Sequence, residues 1–512
     1  MALEDAEHVE HAEPVDRVDR VEHVEHVDVV IVGAGLSGVG AACRLERERP
    51  GTSYAVLEAR DAIGGTWDLF RYPGIRSDSD MLTLGYPFRP WTESQPLADG
   101  PTIKAYIEDT AREYDVDRRI RFGHRVAGGR WSSDDARWTL DVDTAEGRIE
   151  ITCSFLYACT GYYRYDRGYE PDIPGRDAFQ GQVVHPQLWP DDLDVAGKRV
   201  VVIGSGATAV TLVPNLARTA GHVVMLQRSP TYITALPSTD RVAGALRKVL
   251  PEQAAYRAAR AKSIGVAAAS YRASKRWPKQ MRSLLMKAAA KQLPEGYDVE
   301  KHFGPTYGPW DQRLCVVPDG DLFEAISDGR ASVVTDRIAA YTPTGLLLES
   351  GETLDADIVV TATGLELQLL GGTVLEVDGV PVNASDTVAY KGLMLSGLPN
   401  FAFAVGYTNA SWTLKCDLVS RYVCRLLAYM SDHGYDVVMP VAPPEPDRAP
   451  LIDLSSGYVA RAASMLPSQG VRTPWRLNQS YYADVRMLTK QPVDDEGVVF
   501  SRAHAATGRR AP

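Results

Sequence analysis

The chain has 512 residues, 45% of them hydrophobic and 24% charged, a balance that suits a globular protein with room for two or three domains. Its net charge of −11 argues against a general nucleic-acid binder, and no apolar run approaches the roughly 20 residues that a membrane-crossing helix needs. The N-terminus has neither a basic n-region nor an apolar h-region, and the six cysteines form no C-x-x-C pair; a cytoplasmic protein with reduced core thiols is expected.

Residues 1–26 read as an acidic tail. Up to Val27 the chain holds nine acids and two arginines, in Val-Glu-His and Val-Asp-Arg triplets. A period of three suits neither a strand nor a helical stripe, and the segment is too polar to bury, so it is expected to be disordered. His8, His11, His23 and His26 stand in it, but no functional metal site is expected there or elsewhere.

At Val27 the chain turns apolar and β-branched, and after Val32 it meets Gly33-Ala34-Gly35-Leu36-Ser37-Gly38. Strand, tight turn and helix start follow one another, and the free N–H groups of such a helix can hold a pyrophosphate. A second apolar run, Tyr54 to Leu57, ends in Glu58, 25 residues after Gly33. An acid there accepts hydrogen bonds from an adenosine ribose and repels a 2′-phosphate, which suits FAD or NAD.

The same grammar returns at Val200 to Ile203, followed by Gly204-Ser205-Gly206-Ala207-Thr208-Ala209. Here the next strand, Val223 to Gln227, ends in Arg228-Ser229, 24 residues after Gly204, with no acid. A guanidinium and a hydroxyl suit a 2′-phosphate; the plainer alternative is a solvated surface arginine. One glycine loop is weak evidence. Two, followed by residues of opposite charge, imply electron transfer between two dinucleotides, with FAD at the first loop and NADPH at the second.

Between Arg241 and Lys291 the window holds thirteen Lys or Arg and a single acid, Glu252. It is rich in Ala, Leu, Arg and Lys, and a helical insertion is expected. A solvated subdomain with a favourable field for NADPH is the plainer reading; weak peripheral contact with anionic lipid is the sharper one. Further strands are expected at Phe155 to Cys159, Val333-Val334 and Ile358 to Thr361, and a helix from about Leu414 to Met430. The turns Cys159-Thr160-Gly161 and Ala362-Thr363-Gly364 are where the chain is expected to cross between domains. The expected fold is α/β, with two Rossmann-like domains and a helical subdomain inserted in the second. Its segments are a tail over 1–26, an FAD domain over 27–162 and 365–502, and an NADPH domain over 163–235 and 315–364. The insertion takes 236–314 and a frayed tail 503–512.

At this point the chain resembles a known family. Phe179-x-Gly181-x-x-x-His185-x-x-x-Trp189-Pro190, just before the second loop, fits the fingerprint of type I Baeyer–Villiger monooxygenases, class B flavoprotein monooxygenases. Gly64-Gly65-Thr66-Trp67, then Tyr72-Pro73-Gly74, then Asp78 form a second signature of that family. The stretches from Gln292 (Gln-Leu-Pro-Glu-Gly-Tyr-Asp-Val) and from Arg472 (Arg-Thr-Pro-Trp-Arg-Leu-Asn-Gln) are similar to the ethionamide-activating monooxygenase group of actinobacteria.

The resemblance implies an NADPH- and oxygen-dependent enzyme that inserts one oxygen atom beside a ketone carbonyl, through a peroxyflavin, and also oxidises sulfides. It implies Arg313 as the catalytic cation and Asp78 as its partner. A fixed cation suits a water-poor site where negative charge develops, because arginine does not lose its proton. Cofactor contacts are implied for Ser37, Gly65, Thr66, Trp67, Ala207, Thr208, Gln312 and Trp475, with Asn478 beside Trp475 and Tyr407-Thr408-Asn409 bordering the flavin. His185 and Trp189 are implied as linker residues coupling domain movement to cofactor position. Asp80 is expected to cap a helix. One departure stands out: many relatives carry a lysine before the catalytic arginine, and here Gln312 takes that place, so preference for NADPH rests on Arg228 and Ser229. A sulfur-oxidising flavin monooxygenase is the alternative reading. A peripheral membrane or partner-binding protein that merely carries flavin is the alternative of another class. A disulfide reductase lacks its cysteine pair.

Overall fold

A computed structural model describes residues 24–503 except 94, 445–446 and 453–455. The acidic repeat up to residue 23 and the tail from 504 lie outside the described residues. The first strand, Glu25–Val32, takes in the last two residues assigned to the tail. Arg121 donates to Glu25 at 2.7 Å, and His26 shares a 3.0 Å hydrogen bond with Thr152, so neighbours across the sheet hold both.

The first sheet has a parallel core. Ile120–Arg121, Tyr54–Leu57, Glu25–Val32 and Gly147–Ala158 lie side by side, and Phe401–Phe403 returns late in the chain to pair with Gly147–Ala158. Its inner strands are covered on both faces, which is why Val29, Val30, Ile31 and Val56 are continuous apolar runs with no exposure. Beyond Gly147–Ala158 the sheet turns antiparallel through Arg137–Thr144 and Arg125–Ser132.

The second sheet is parallel throughout, in the order Ala331–Thr335, His222–Gln227, Arg199–Ile203, Ile358–Thr361, Gln182–Val184. The fold is therefore α/β with two Rossmann-like sheets. The chain leaves the first sheet through Cys159-Thr160-Gly161 and the second through Ala362-Thr363-Gly364, and each turn presses on a glycine loop. A Cβ on Gly33 would meet the Cys159 carbonyl oxygen at 2.8 Å, and one on Gly204 would meet the Ala362 carbonyl oxygen at 2.4 Å; both glycines have positive φ.

The basic window folds as three helices, Arg241–Val249, Glu252–Arg276 and Pro278–Ala290. They leave from the strand Ile233–Leu236 and return to its parallel neighbour Cys315–Pro318, so the insertion is grafted beside the second glycine loop. Two of its arginines are spent on main-chain carbonyls of the first domain. Arg260 is buried and donates to the carbonyls of Leu82, Thr83 and Gly85, closing the end of the short helix Met81–Leu84. Arg247 donates to the carbonyls of Trp91, Thr92 and Glu93. The insertion is thus docked on the first domain by main-chain acceptors.

Candidate active site

Both glycine-loop helices start bare. Leu36–Glu48 begins after Gly35 and Ala207–Leu216 after Gly206, neither with a capping side chain nor with an acid in its first turn. Elsewhere Asp80, Asp99, Asp240 and Asp298 each accept a backbone N–H at a helix start. The unfilled N–H groups and the positive end of the helix dipole leave two anion-binding ends. A cleft of about 260 Å³ lies between them, touched by Gly35, Leu36 and Ser37 on one side and Ala207, Thr208 and Thr211 on the other.

The first loop is shaped for close approach. A Cβ on Gly38 would fall 1.8 Å from the Gly33 carbonyl oxygen, so the helix packs against its own turn. Gly35 bridges Gly64, and Gly65 follows at positive φ, starting a short helix with Thr66 and Trp67 at its head. Thr66 Oγ1 lies 2.6 Å from the Tyr163 hydroxyl. Glu58 is buried and held by the turn itself: one oxygen accepts the Ala34 N–H at 2.7 Å, the other the Arg60 N–H at 2.9 Å. Its carboxylate therefore sits directly under the glycine loop.

At the second loop, Ser205 Oγ donates to the Ser229 carbonyl at 3.1 Å and lies 2.8 Å from Thr231 Oγ1. This ties the loop to the end of the strand His222–Gln227. Arg228 and Ser229 are exposed there, and Arg228 forms no hydrogen bond or ion pair among the described residues. Neither lines the cleft.

Segment 70–79 crosses between the domains. Tyr72 is buried in the hydrophobic core of the second domain, with Val200, Val202 and Val213, and Phe70 and Ile75 pack against the same core, although the segment follows the first sheet's strand Tyr54–Leu57 in sequence. A Cβ on Gly74 would collide with the Asn215 amide at 2.0 Å, so the Tyr-Pro-Gly corner lies flush on the second loop's helix. Arg76 pairs with Asp321 at 2.8 Å. This strap delivers Asp78 to the cleft wall. Asp80 caps Met81–Leu84 by accepting the Thr83 N–H at 3.0 Å, and burial raises its carboxyl above the usual range.

Arg313 comes from the other side, two residues before the strand Cys315–Pro318. Its Nε lies 3.2 Å from Asp78 Oδ2 and its Nη2 donates to Oδ1 at 3.3 Å, a side-on pair across the domains. The Asp78 charge raises the guanidinium pKa, so it stays protonated. Arg313 also borders a second, smaller chamber with Tyr407, Thr408, Trp412, Tyr458 and Gln479. Burial pushes the Tyr72 and Tyr165 hydroxyls up to about 12, and Tyr162 higher still. At neutral pH the phenols of the walls are thus neutral, and the cleft also holds two arginines, Arg313 paired with Asp78 and Arg76 paired with Asp321.

Several residues at this site are not signalled by any motif. Tyr162, Tyr163 and Tyr165 line the cleft as an aromatic wall, with Tyr162 stacked on Trp412 at 5.0 Å. Trp412 Nε1 donates to Ser37 Oγ at 2.9 Å, joining the first loop to the helix Trp412–His433. Behind the chamber the Tyr407 hydroxyl donates to buried Asp484 at 2.6 Å, and Lys415 donates to the same oxygen at 2.9 Å. Asn409 Nδ2 donates to the Gln479 carbonyl. Tyr407, Thr408 and Asn409 were expected to border the flavin; of the others, only the cluster of tyrosines after Gly161 offered a signal in the sequence.

Other expected site residues lie elsewhere. Trp475 does not line the cleft or the chamber; it is buried, its ring edge-on to Tyr390 at 5.4 Å. Gln312 is in neither cavity lining. Phe179 packs on Tyr341, and Gly181 fits because a Cβ would strike the Asp357 carbonyl oxygen at 2.4 Å. These two fingerprint positions are packing positions under the second sheet. Trp189 packs, half-buried, on the second domain's core. His185 is buried against Gly168, and its Nδ1 accepts the Gln187 N–H at 3.1 Å, leaving the proton on Nε2.

Burial lowers the His185 pKa below its ordinary value near 6.5. On acidification the unfolded chain therefore binds a proton that the native ring refuses, so this histidine makes stability fall as pH falls below about 6.5. In His185→Gln that part of the acid-side loss is expected to vanish. Urea unfolding at about pH 7 and about pH 5.5 checks it; an identical pH slope in both proteins refutes it.

The flavin-binding monooxygenase-like (FMO-like) family matches residues 26–242. The chain is similar to the FAD-containing monooxygenase EthA of Mycobacterium tuberculosis, 55% identical over 482 residues, covering 94% of this chain and 99% of that protein. It is 49% identical to the probable FAD-binding monooxygenase AlmA of Acinetobacter baylyi, covering 93% and 96%. Among solved structures, OTEMO in complex with FAD and NADP matches with TM-score 0.68 and 25% identity over 81% of this chain and 88% of that one. An oxidised steroid monooxygenase bound to NADP matches with TM-score 0.73 and 22% identity over 93% and 100%.

Proposed function

The chain belongs to the FAD-containing monooxygenases, and on that premise we propose that it is an NADPH-dependent Baeyer–Villiger monooxygenase, forming an ester or lactone from a ketone. FAD belongs at the first glycine loop and NADPH at the second. The glycine cradles that a Cβ would fill and the two bare helix starts fit both pyrophosphates, and OTEMO forms a complex with FAD and NADP. Residues 27–162 and 365–502 then serve FAD, 163–235 and 315–364 serve NADPH, and His185 and Trp189 sit on the linker between them.

When bound, FAD reduced by NADPH supplies the activation of molecular oxygen. The protein's part is to hold the ketone beside it and to stabilise the negative charge that builds on the carbonyl oxygen when the carbon is attacked. Arg313 is the permanent cation placed for this, at the junction of cleft and chamber, and Asp78 fixes the plane of its guanidinium. That side-on pair is the observation that carries the reading. The tyrosines and Trp412 exclude water, which strengthens the charge interaction.

Sulfide oxidation by the same enzyme needs no fixed cation for an oxyanion, so the pair favours the ketone as the better-served substrate. A ketone panel is expected to yield esters with NADPH and oxygen consumed one-to-one. Hydrogen peroxide without oxygenated product refutes the proposal. Sulfoxides formed without any ester at every pH assign the enzyme to sulfur instead.

A further inference from the structure

The helical insertion ends in an exposed corner. Trp277 closes the helix Glu252–Arg276 and opens Pro278–Ala290. Its side chain is 53% exposed, and that of Leu284, two turns on, is 62% exposed. Leu284, Lys287 and Lys291 follow at i, i+3 and i+7, one face of the helix. Arg272, Arg276 and Lys279 stand around the corner, with the Arg276 guanidinium 5.9 Å from the Trp277 ring.

These cations are free for a partner. Among the described residues Arg272, Arg276, Lys279, Lys287 and Lys291 form no ion pair, whereas Arg282 pairs with Glu300 and Lys275 with Asp311. A solvated basic helix has no use for a large aromatic and a leucine at the centre of its charge. A tryptophan at an apex ringed by lysine and arginine is instead the composition of interfacial anchors, where the ring sits at headgroup depth and the cations meet lipid phosphates. No described helix is long and apolar enough to cross a membrane, so the contact lies in the interface. With a net charge of −11 the chain as a whole repels a long polyanion, whereas the corner is locally complementary to an anionic surface.

We propose that this corner docks the protein on an anionic bilayer surface, with Trp277 and Leu284 seated among the headgroups. Docking bears on the candidate active site. Tyr271 rests edge-on against Trp310 at 5.8 Å, and Lys275 donates to the Trp310 carbonyl at 3.2 Å and to Asp311 at 2.8 Å. The loop that carries Arg313 is thus fastened two residues from Trp277. Apolar ketones dissolved in the lipid then meet the enzyme at the surface that holds it, a consequence that rests on the proposed function, while the docking itself does not.

The test is sedimentation of the full-length protein with vesicles of phosphatidylcholine alone and of equimolar phosphatidylcholine and phosphatidylglycerol. Pelleting is expected with the anionic vesicles only, and it weakens as salt rises. The variants Trp277→Ser with Leu284→Ser, and Lys287→Glu with Lys291→Glu, are each expected to weaken it roughly tenfold. Both should keep their flavin absorbance and their turnover of a short, water-soluble ketone, which makes a folding failure visible. No pelleting with anionic vesicles overturns the proposal. So does a double serine variant that pellets like the parent, or binding to duplex DNA as strong as to vesicles. A protein that pellets but makes no ester keeps the docking and sinks only the ketone reading.

Discussion

Arg313→Ala is expected to cut ester formation by about 10²- to 10³-fold, the scale seen when one donor to a developing oxyanion is removed. Among the described residues the side chain has a single ionic partner, Asp78, and the loops expected to hold the two cofactors do not depend on it. FAD content should therefore stay normal, and NADPH should still be oxidised, with hydrogen peroxide replacing the ester. Arg313→Lys keeps the charge but not the two-bond, side-on contact with Asp78, so an intermediate rate is expected. Asp78→Ala leaves the guanidinium charged but free to turn, and it should cost less than Arg313→Ala. Product analysis with a single ketone, read beside peroxide release, separates these cases. An Arg313→Ala protein that makes ester at the parent rate overturns the mechanism.

The two glycine loops were legible in the sequence because their constraint is local. A strand, a turn that tolerates no Cβ and a bare helix start occupy a dozen consecutive residues, and the collisions at Gly33, Gly38 and Gly204 show why no other residue serves. The α/β class followed from the same runs. What was not legible depends on contacts between distant residues. Tyr72 lies in the first domain's sequence and the second domain's core; no local pattern reports that. Trp412 reaches Ser37 across 375 positions. Trp475, expected at the cleft, is drawn into the core by Tyr390. The basic insertion read as one charged window, yet Arg247 and Arg260 are used up on main-chain carbonyls of the first domain and Lys262 on Asp240, so only part of its charge is free.

On the proposed function, discrimination between NADPH and NADH is expected to turn on Arg228. It follows the strand that abuts the second glycine loop, 24 residues after Gly204, and Ser205 fastens that loop to the Ser229 carbonyl. Being exposed and unpaired among the described residues, its side chain serves no fold contact whose loss would blur the result. A charged hydrogen bond of about 1.5–3 kcal/mol corresponds to roughly a 10- to 150-fold change in affinity. Arg228→Ala is therefore expected to raise the NADPH KM by about that factor. The NADH KM should stay within about twofold, because NADH has no 2′-phosphate to lose a partner. Gln312, uncharged and outside the cleft lining, supplies no second cation to soften the effect. Placing lysine there should therefore restore part of the NADPH preference in the Arg228→Ala background. Steady-state kinetics with both cofactors decides the matter: equal changes in the two KM values mean that the phosphate is held elsewhere, and the second loop would lose its assignment to NADPH.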